Sequence, residues 1–553
     1  MILGIDVGGT HTDSVLMQGR NIIRKSKVLT DKSNILKSVT QATEAVAKPE
    51  DIKQLQRVVL STTISTNAVA QKQLDKVGMI VMSGPGVSHK DLPLSDRAVF
   101  VSGYMNHRGL EAEGVDEREI RELKKQFAER QIDHIGVVGK FSTRSPAHEM
   151  KVQSMFADQA KHVTLGHQLS GALNFPRRIS TTYLNEAIWS LHSRLVDELS
   201  TYLKGLGVDV PLYILKADGG TIDYLQSRSY PVQTILSGPA ATIMGVLPYI
   251  SVDKDSVSID IGGTTTDIAL FADGAPLLEP QGVQIEEHKT LIRGLLTHSI
   301  ALGGDSHVQV VSGQLQIGPE RKGNAMAFDG PVPTPTDALI FLGLADIGHK
   351  GKAAKAMEAI AAQLGKTPTE AANAIVNRAS EMIVAKINEM VKEINSKPVY
   401  TIHELLEGKK IAPKELLVVG GPAPYIAQTV STMLGLPHVV PENSDVINAS
   451  GAAMARTTVE LNLMADTESR LLSIAEEGVQ AKIPSNFSVS DVIAVGKEKL
   501  VEIARKAGAR EADLEVEVAD CQTFNVIRNY STTGKNIRAR LQIKPGLIKS
   551  ETN

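Results

Sequence analysis

Residues 6–13 read DVGGTHTD, and residues 260–267 read DIGGTTTD. Extended by four residues each, the stretches are DVGGTHTDSVLM and DIGGTTTDIALF. They share Asp, Gly, Gly, Thr, Thr, Asp and Leu in register, 254 positions apart (260 − 6). The first octet closes a short apolar run, ILGIDV at 2–7, and SVLMQ after it reads as the returning strand of a hairpin. A single Gly-Gly of this kind is often only a tight turn. Two in register, each keeping its aspartates and threonines, point to two related halves that need the same turn.

The chemistry of the octet suggests the need. Glycine pairs let a backbone turn sharply and approach a ligand closely. Threonine hydroxyls and converging N–H groups make an anion-binding nest. An aspartate at the end of the incoming strand suits Mg²⁺, directly or through water. Two such hairpins facing each other would clamp a nucleotide's phosphates and their metal. On this reading Asp6 and Asp260 are the metal-side carboxylates. Gly8, Gly9, Thr10 and Thr12, with Gly262, Gly263, Thr264 and Thr265, meet phosphate. Asp13 and Asp267 act beside them or brace the hairpins. His11 stands where the second octet has threonine; it either donates to phosphate or packs. Neither octet is a Walker A loop or a G-x-G-x-x-G dinucleotide loop.

Two further glycine turns extend the pattern. VVGGPAP (418–424) sits at a strand end before a helix, so Gly420, Gly421 and Pro422 would meet the nucleoside. ALGGDS (301–306) offers Gly303 and Gly304 as another phosphate-side turn. Thr62 to Asn67 is expected to line the cleft. Lys216, Asp218 and Gly219–Gly220 end another strand and reach the same place. His298 faces substrate or a second metal, or is structural.

Strand runs at 57–63, 78–83, 134–139, 211–220 and 415–424 alternate with helical spacing at 35–47, 117–130, 177–207 and 353–395. That alternation means α/β layers. Thr367, Pro368 and Glu370 carry a helix start signal inside the last stretch. After about 466 the pattern becomes a helix (490–507) followed by strands at 514–518, 523–531 and 536–544, a small α+β appendage. We expect domains at 1–175, 176–465 and 466–553.

The chain has 553 residues, 59 basic and 62 acidic, for a net charge of −3. The charges are evenly spread, which argues against nucleic acid and anionic membrane as partners. No apolar run reaches the ~18–20 residues of a membrane span. One cysteine, Cys521, forbids an internal disulfide and suits a reducing cytoplasm. A strand starting at Ile2 leaves no room for a signal peptide. The sequence shows no G-x-S-x-G elbow, H-E-x-x-H or Cys₄ pattern, which disfavours a hydrolase with its own nucleophile or zinc.

The order of hairpin, hairpin, glycine turn, adenosine turn and closing helix (448–456) resembles the actin-like ATPase superfamily. Several segments are similar to the A-type component of the hydantoinase/oxoprolinase family in particular. These are STTISTNAVAQK (61–72), STTYLNE (180–186), LSGPAATIMG (236–245), DIGGTTTDIAL (260–270) and VPTPTDALIFLG (332–343). The match covers roughly residues 1 to 460. It implies two ribonuclease-H-like ATPase domains around a nucleotide cleft, with ATP and Mg²⁺ as cofactors. It also implies a small cyclic amide substrate (hydantoin, 5-oxoproline or another lactam), with Thr62, Asn67, Asp218 and His298 on the substrate side. ATP would phosphorylate the amide oxygen, with water then attacking, often at a hydantoinase-B-like partner subunit. We expect a homo-oligomer, the strand-rich appendage being suited to assembly. Some segments depart from the pattern. In LTHSIALGGDS (296–306) Leu296 replaces an acid and Asp305 a glycine; NAMAFDG (324–330) lacks a cysteine; NFPRR (174–178) replaces an acidic-aromatic segment. The ATP side is retained and the substrate side remodelled. Two other functions fit the same residues: an ATP-driven reactivating or chaperone-like machine, and a small-molecule kinase.

Overall fold

The structure, a computed structural model, describes residues 1–396 and 410–549. It divides into two compact units. The first is Met1–Met244, Leu278–Leu295 and Ala452–Asn553; the second is Gly245–Leu277 and Leu296–Gly451. These units differ from the expected cuts at 175 and 465. Residues 176–244 and the C-terminal segment both belong with the N-terminal part.

Each unit is organised on a sheet of one topology. In the first, Ile2–Val7 pairs antiparallel with His11–Gln18, which pairs antiparallel with Asn21–Leu29. On its other side Ile2–Val7 runs parallel to Arg57–Thr62, and that strand runs parallel to Leu212–Leu215. In the second, Ser256–Ile261 pairs antiparallel with Thr266–Ala272, which carries Thr297–Ile300 on its far side. Ser256–Ile261 also runs parallel to Glu415–Val419, itself parallel to His438–Val439. Apart from one extra short antiparallel strand in each, Thr221–Asp223 and Ala275–Pro276, both six-stranded sheets have three antiparallel strands followed by two parallel ones, in the spatial order 3-2-1-4-5. This is the expected α/β class with a ribonuclease-H-like sheet in each unit.

The central strands explain why the octets could be read. Ile2–Val7 and Arg57–Thr62 are buried at every position, because a strand at the middle of a helix-covered sheet needs apolar side chains on both faces. The first unit's sheet core includes Leu3, Ile5, Leu60, Val196 and Leu199; the second unit's includes Val257, Ile259, Leu270, Leu416 and Val418. The helical stretch 353–395 is Lys350–Leu364 and Pro368–Ser396, and Thr367 and Glu370 form the expected reciprocal cap. The stretch 177–207 is two helices, Phe175–Ala187 and Trp189–Gly205, broken at Ile188 without Gly or Pro to announce it.

The appendage has its own five-stranded antiparallel sheet and helix Val489–Lys506, around a core containing Leu461, Leu463, Leu500, Ile537 and Leu541. The three strand runs expected there are two long strands, Val516–Arg528 and Ser531–Ile543. They turn at Asn529 and Tyr530, both in the left-handed region (φ 47° and 63°). Three strands between 460 and 482 were not expected. No helix among the described residues is long and apolar enough to cross a membrane.

Candidate functional site

The first hairpin closes with the Gly8 N–H donating to the His11 carbonyl at 3.0 Å. The second closes identically, Gly262 to Thr265 at 2.9 Å. None of the four glycines in the two pairs occupies the left-handed region, so turn geometry does not require them. Space requires Gly8, where an added methyl would lie 2.9 Å from the His11 carbonyl. Nothing lies within 4 Å of where a methyl on Gly9 would point. Gly9 therefore presents bare backbone and an open approach, and Thr10 beside it is exposed. Thr12 differs from its neighbours: it is fully buried, and its hydroxyl bonds to the Thr30 hydroxyl at 3.0 Å. Thr266, at the same place in the second octet, donates to the Leu302 carbonyl at 2.7 Å. The last threonine of each octet braces the hairpin, while Thr10, Thr264 and Thr265 are exposed at the tips.

In the second unit the predicted turns interlock. Gly304 N–H donates to the Gly262 carbonyl at 2.9 Å and Asp305 N–H to the Gly263 carbonyl at 2.8 Å. A methyl at Gly303 would lie 2.5 Å from the Gly263 carbonyl and the Thr264 nitrogen. Gly420 follows strand Glu415–Val419, whose Val419 lies beside Asp260. It takes φ +96°, and a methyl there would meet an Asp260 carboxylate oxygen at 2.8 Å. Pro422 packs near Gly304 and starts helix Ala423–Leu434, whose N-terminal end favours negative charge. Hairpin, phosphate-side turn and nucleoside turn thus form one surface. Sequence reading missed Arg321. Its Nη2 bonds Asp305 at 2.7 Å and its Nη1 reaches the Thr264 hydroxyl at 3.3 Å. It pairs with the Asp305 carboxylate and sets a cation at the hairpin tip.

The paired aspartates face each other across each hairpin: Asp6 opposite Asp13, Asp260 opposite Asp267. Their surroundings differ. Asp13 receives two hydrogen bonds from Lys27, at 2.9 and 2.8 Å. Asp267 lacks a lysine, and burial together with the Asp260 carboxylate pushes its pKa up to about 7. Among the described residues no group of three or more acidic, histidine or cysteine side chains could hold a metal unaided. The donor set nonetheless fits Mg²⁺, which is usually held by one or two carboxylates plus substrate phosphates and water. His298 does not join it. Strand register pairs Ser299 with Asp267 and His298 with Ile268, so alternation sends His298 to the opposite face from Asp260 and Asp267.

In the first unit Val7, Thr62 and Leu215 end three parallel strands, so Gly8, Thr63 and Lys216 leave the same sheet edge. Ligands of open α/β sheets gather at such an edge. The Thr62 hydroxyl is buried and accepts from Ile64 N–H, while Asn67 is exposed one helical turn on. Asp218 is buried, with Thr458 donating to it at 2.8 Å and Gly220 N–H at 3.0 Å. Lys216 and Arg293 stand at 3.5 and 3.6 Å from its carboxylate. These residues line a cavity of about 360 Å³ with Glu460 and Tyr230. Both Arg293 Nη atoms are buried there without a hydrogen-bond acceptor. Arg293, Thr458 and Glu460 come from segments distant in sequence and carry no local motif.

The chain is 26% identical over 385 residues to the alpha component of the caprolactamase of Pseudomonas jessenii, covering 62% of this chain and 55% of that protein. It is 25% identical over 446 residues to the acetophenone carboxylase gamma subunit of Aromatoleum aromaticum, covering 70% and 61%. The chain thus spans little more than half of these relatives. The crystal structure of the ATP-dependent caprolactamase from Pseudomonas jessenii superposes with a TM-score of 0.71 at 18% identity, over 98% of this chain and 87% of that one, which shows a shared fold. Residues 2–159 match the hydantoinase/oxoprolinase N-terminal region and residues 178–461 match hydantoinase/oxoprolinase, so the chain belongs to the hydantoinase/oxoprolinase family.

Proposed function

We propose that this chain binds ATP and uses it to phosphorylate the carbonyl oxygen of a cyclic amide, as the ATPase part of a hydantoinase- or oxoprolinase-type hydrolase. The observation that carries the reading is the second unit's interlocked set: hairpin Gly262–Thr265 bonded to Gly304 and Asp305, with Gly420 against Asp260. The backbone N–H groups of Gly263 and Thr264 and the Arg321 guanidinium would take phosphate oxygens, and Gly420–Pro422 the nucleoside. The first hairpin, Gly8–Thr10, would take phosphate as well. Asp260 would hold Mg²⁺, which neutralises phosphate charge when bound, and Asp6 has the matching place in the first unit's hairpin.

The reaction balances simply. The amide oxygen attacks the γ-phosphorus, ADP leaves, and the ring carbon is bonded to a phosphate ester. Resonance no longer protects the C–N bond. Water adds to that carbon, the ring nitrogen leaves with a proton as the open-chain amine, and a second water hydrolyses the resulting acyl phosphate to a carboxylate and free phosphate. The cavity walled by Asp218, Arg293 and Thr458 is where we place the ring; Arg293 offers unsatisfied N–H donors to a carbonyl or carboxylate. The caprolactamase relative is one component of a larger enzyme, which supports a partner of hydantoinase-B type. The carboxylase relative supports a second reading, in which the phosphorylated oxygen belongs to a ketone enolate.

ADP release separates these readings. Turnover stimulated by caprolactam, hydantoin or 5-oxoproline, with ring-opened product, is expected. Stimulation only by a ketone with bicarbonate favours carboxylation, a stable phosphate ester favours a kinase, and stimulation only by a protein favours a machine. Arg321→Met is expected to weaken ATP binding about tenfold, the loss of one charge-assisted hydrogen bond, with the far-ultraviolet spectrum unchanged. Unaltered affinity would remove Arg321 from the site.

A further inference from the structure

A cavity of about 190 Å³ lies within the first unit, between the turn after strand His134–Gly139 and the C-terminal sheet. Four arginines line it, Arg108, Arg144, Arg528 and Arg538, against two carboxylates, Asp466 and Glu468. With histidine neutral, the walls carry a formal charge of +2 (4 − 2). Both carboxylates are engaged. Asp466 accepts from Arg108 at 3.0 Å, and Glu468 accepts from Arg528 at 2.8 and 3.2 Å and pairs with Arg108 at 2.8 Å. Two cations are left over. Among the described residues neither the Arg144 nor the Arg538 guanidinium makes a hydrogen bond or a salt bridge, and the Arg144 Nε is buried without an acceptor. Arg538 only lies over the Phe524 ring, 5.7 Å from its centroid.

Arg144 is 7% exposed, an unusual place for an unpaired charge. Burial and the nearby Arg538 push its pKa down to about 10, which leaves it charged at neutral pH. Its backbone is held in place: the Arg144 carbonyl accepts from the Ser473 hydroxyl at 3.1 Å and from the Gln480 amide. A buried donor without an acceptor is costly, and two like charges side by side add to the cost. An anion between them would remove both penalties. The cavity is below the ~300 Å³ at which sites for drug-sized ligands begin, so a nucleotide does not fit and a phosphate-sized ion does.

We infer that this cavity is a phosphate-binding site, taking inorganic phosphate or the phosphate group of a small monoester between Arg144 and Arg538. The net charge matches a dianion, and planar guanidinium forks suit its several oxygens. The site is separate from the glycine hairpins, which belong to other loops, and does not depend on the proposed reaction.

The test titrates inorganic phosphate into the full-length chain, followed by calorimetry, with glycerol phosphate and malonate in parallel. Arg538→Gln is the primary variant because Arg538 is exposed and its loss spares the core. Arg144→Met is the second. The same titration with ADP and magnesium at saturation controls for phosphate at the glycine hairpins. Phosphate binding weakened at least about tenfold in Arg538→Gln, and retained in wild type with ADP present, is the expected result. Comparable affinity for glycerol phosphate identifies a monoester as the cargo; binding of phosphate alone identifies the free ion. No phosphate binding, binding unaltered by Arg538→Gln and Arg144→Met, or preference for malonate overturns the proposal.

Discussion

Asp260→Asn is expected to lower ATP turnover by about 10²–10³-fold, the usual loss when one group that stabilises charge at a transferring phosphoryl is removed. The same substitution should leave the fold intact, since Asp260 is half-exposed at a strand end. It has a second readout that requires no substrate. Burial and the Asp260 charge together push Asp267 up to about 7, so removing that charge should move the Asp267 titration downward, followed by carboxyl NMR. The sign of the stability effect follows. The folded-state value lies above the unfolded one, so the native state holds its proton longer. Nucleotide-free wild-type protein therefore loses stability as pH rises from the ordinary carboxylate range to about 7. Asp260→Asn should flatten that loss. Full turnover in the variant would remove Asp260 from the chemistry, and an unmoved Asp267 titration would break the coupling between the pair.

Arg178→Met is expected to destabilise the first unit by about 3–5 kcal/mol, the cost of leaving several buried carbonyls without their donors. Arg178 is fully buried. Its guanidinium donates to the carbonyls of Ala172, Gly139 and Lys140 at 2.7, 3.1 and 2.9 Å. Those carbonyls belong to the end of strand His134–Gly139 and to the loop that enters helix Phe175–Ala187. Methionine fills the volume but leaves three acceptors without donors. The chain's one tryptophan reports on this region, because Trp189 stacks on His162 at 4.5 Å and lies near His134. Urea unfolding followed by Trp189 fluorescence should show the midpoint well below wild type. A loss under about 1 kcal/mol would mean that water satisfies those carbonyls.

What was legible in the sequence was local or repeated. A six-residue apolar strand running into Gly-Gly-Thr is readable because strand, turn and returning strand are adjacent, and the second copy confirmed the first. Gly303 and Gly420 were readable for the same reason, since each ends a strand. The sequence does not show that Gly8 is needed for clearance from the His11 carbonyl while Gly9 faces open space. Thr12 looked like its neighbours, but its position in the pleat turns it toward Thr30. The face that His298 takes is a question of register. Alternation along Thr297–Ile300 is visible in the sequence, but its pairing with Thr266–Ala272 is not. Arg321 was invisible because it reaches Asp305 from a loop 16 residues away, without motif or periodicity. Both cavities of the first unit join segments hundreds of residues apart, and the linear cuts at 175 and 465 could not represent a unit assembled from three stretches of chain.

The central claim is that the interlocked glycine turns of the second unit hold a nucleotide. Amide hydrogen exchange with and without ATP and magnesium tests it most directly. Slowed exchange at Gly262–Thr265, Gly303–Asp305 and Gly421 is the result expected. Exchange at these amides unaltered by saturating ATP, or ATP protection confined to other segments, would contradict it.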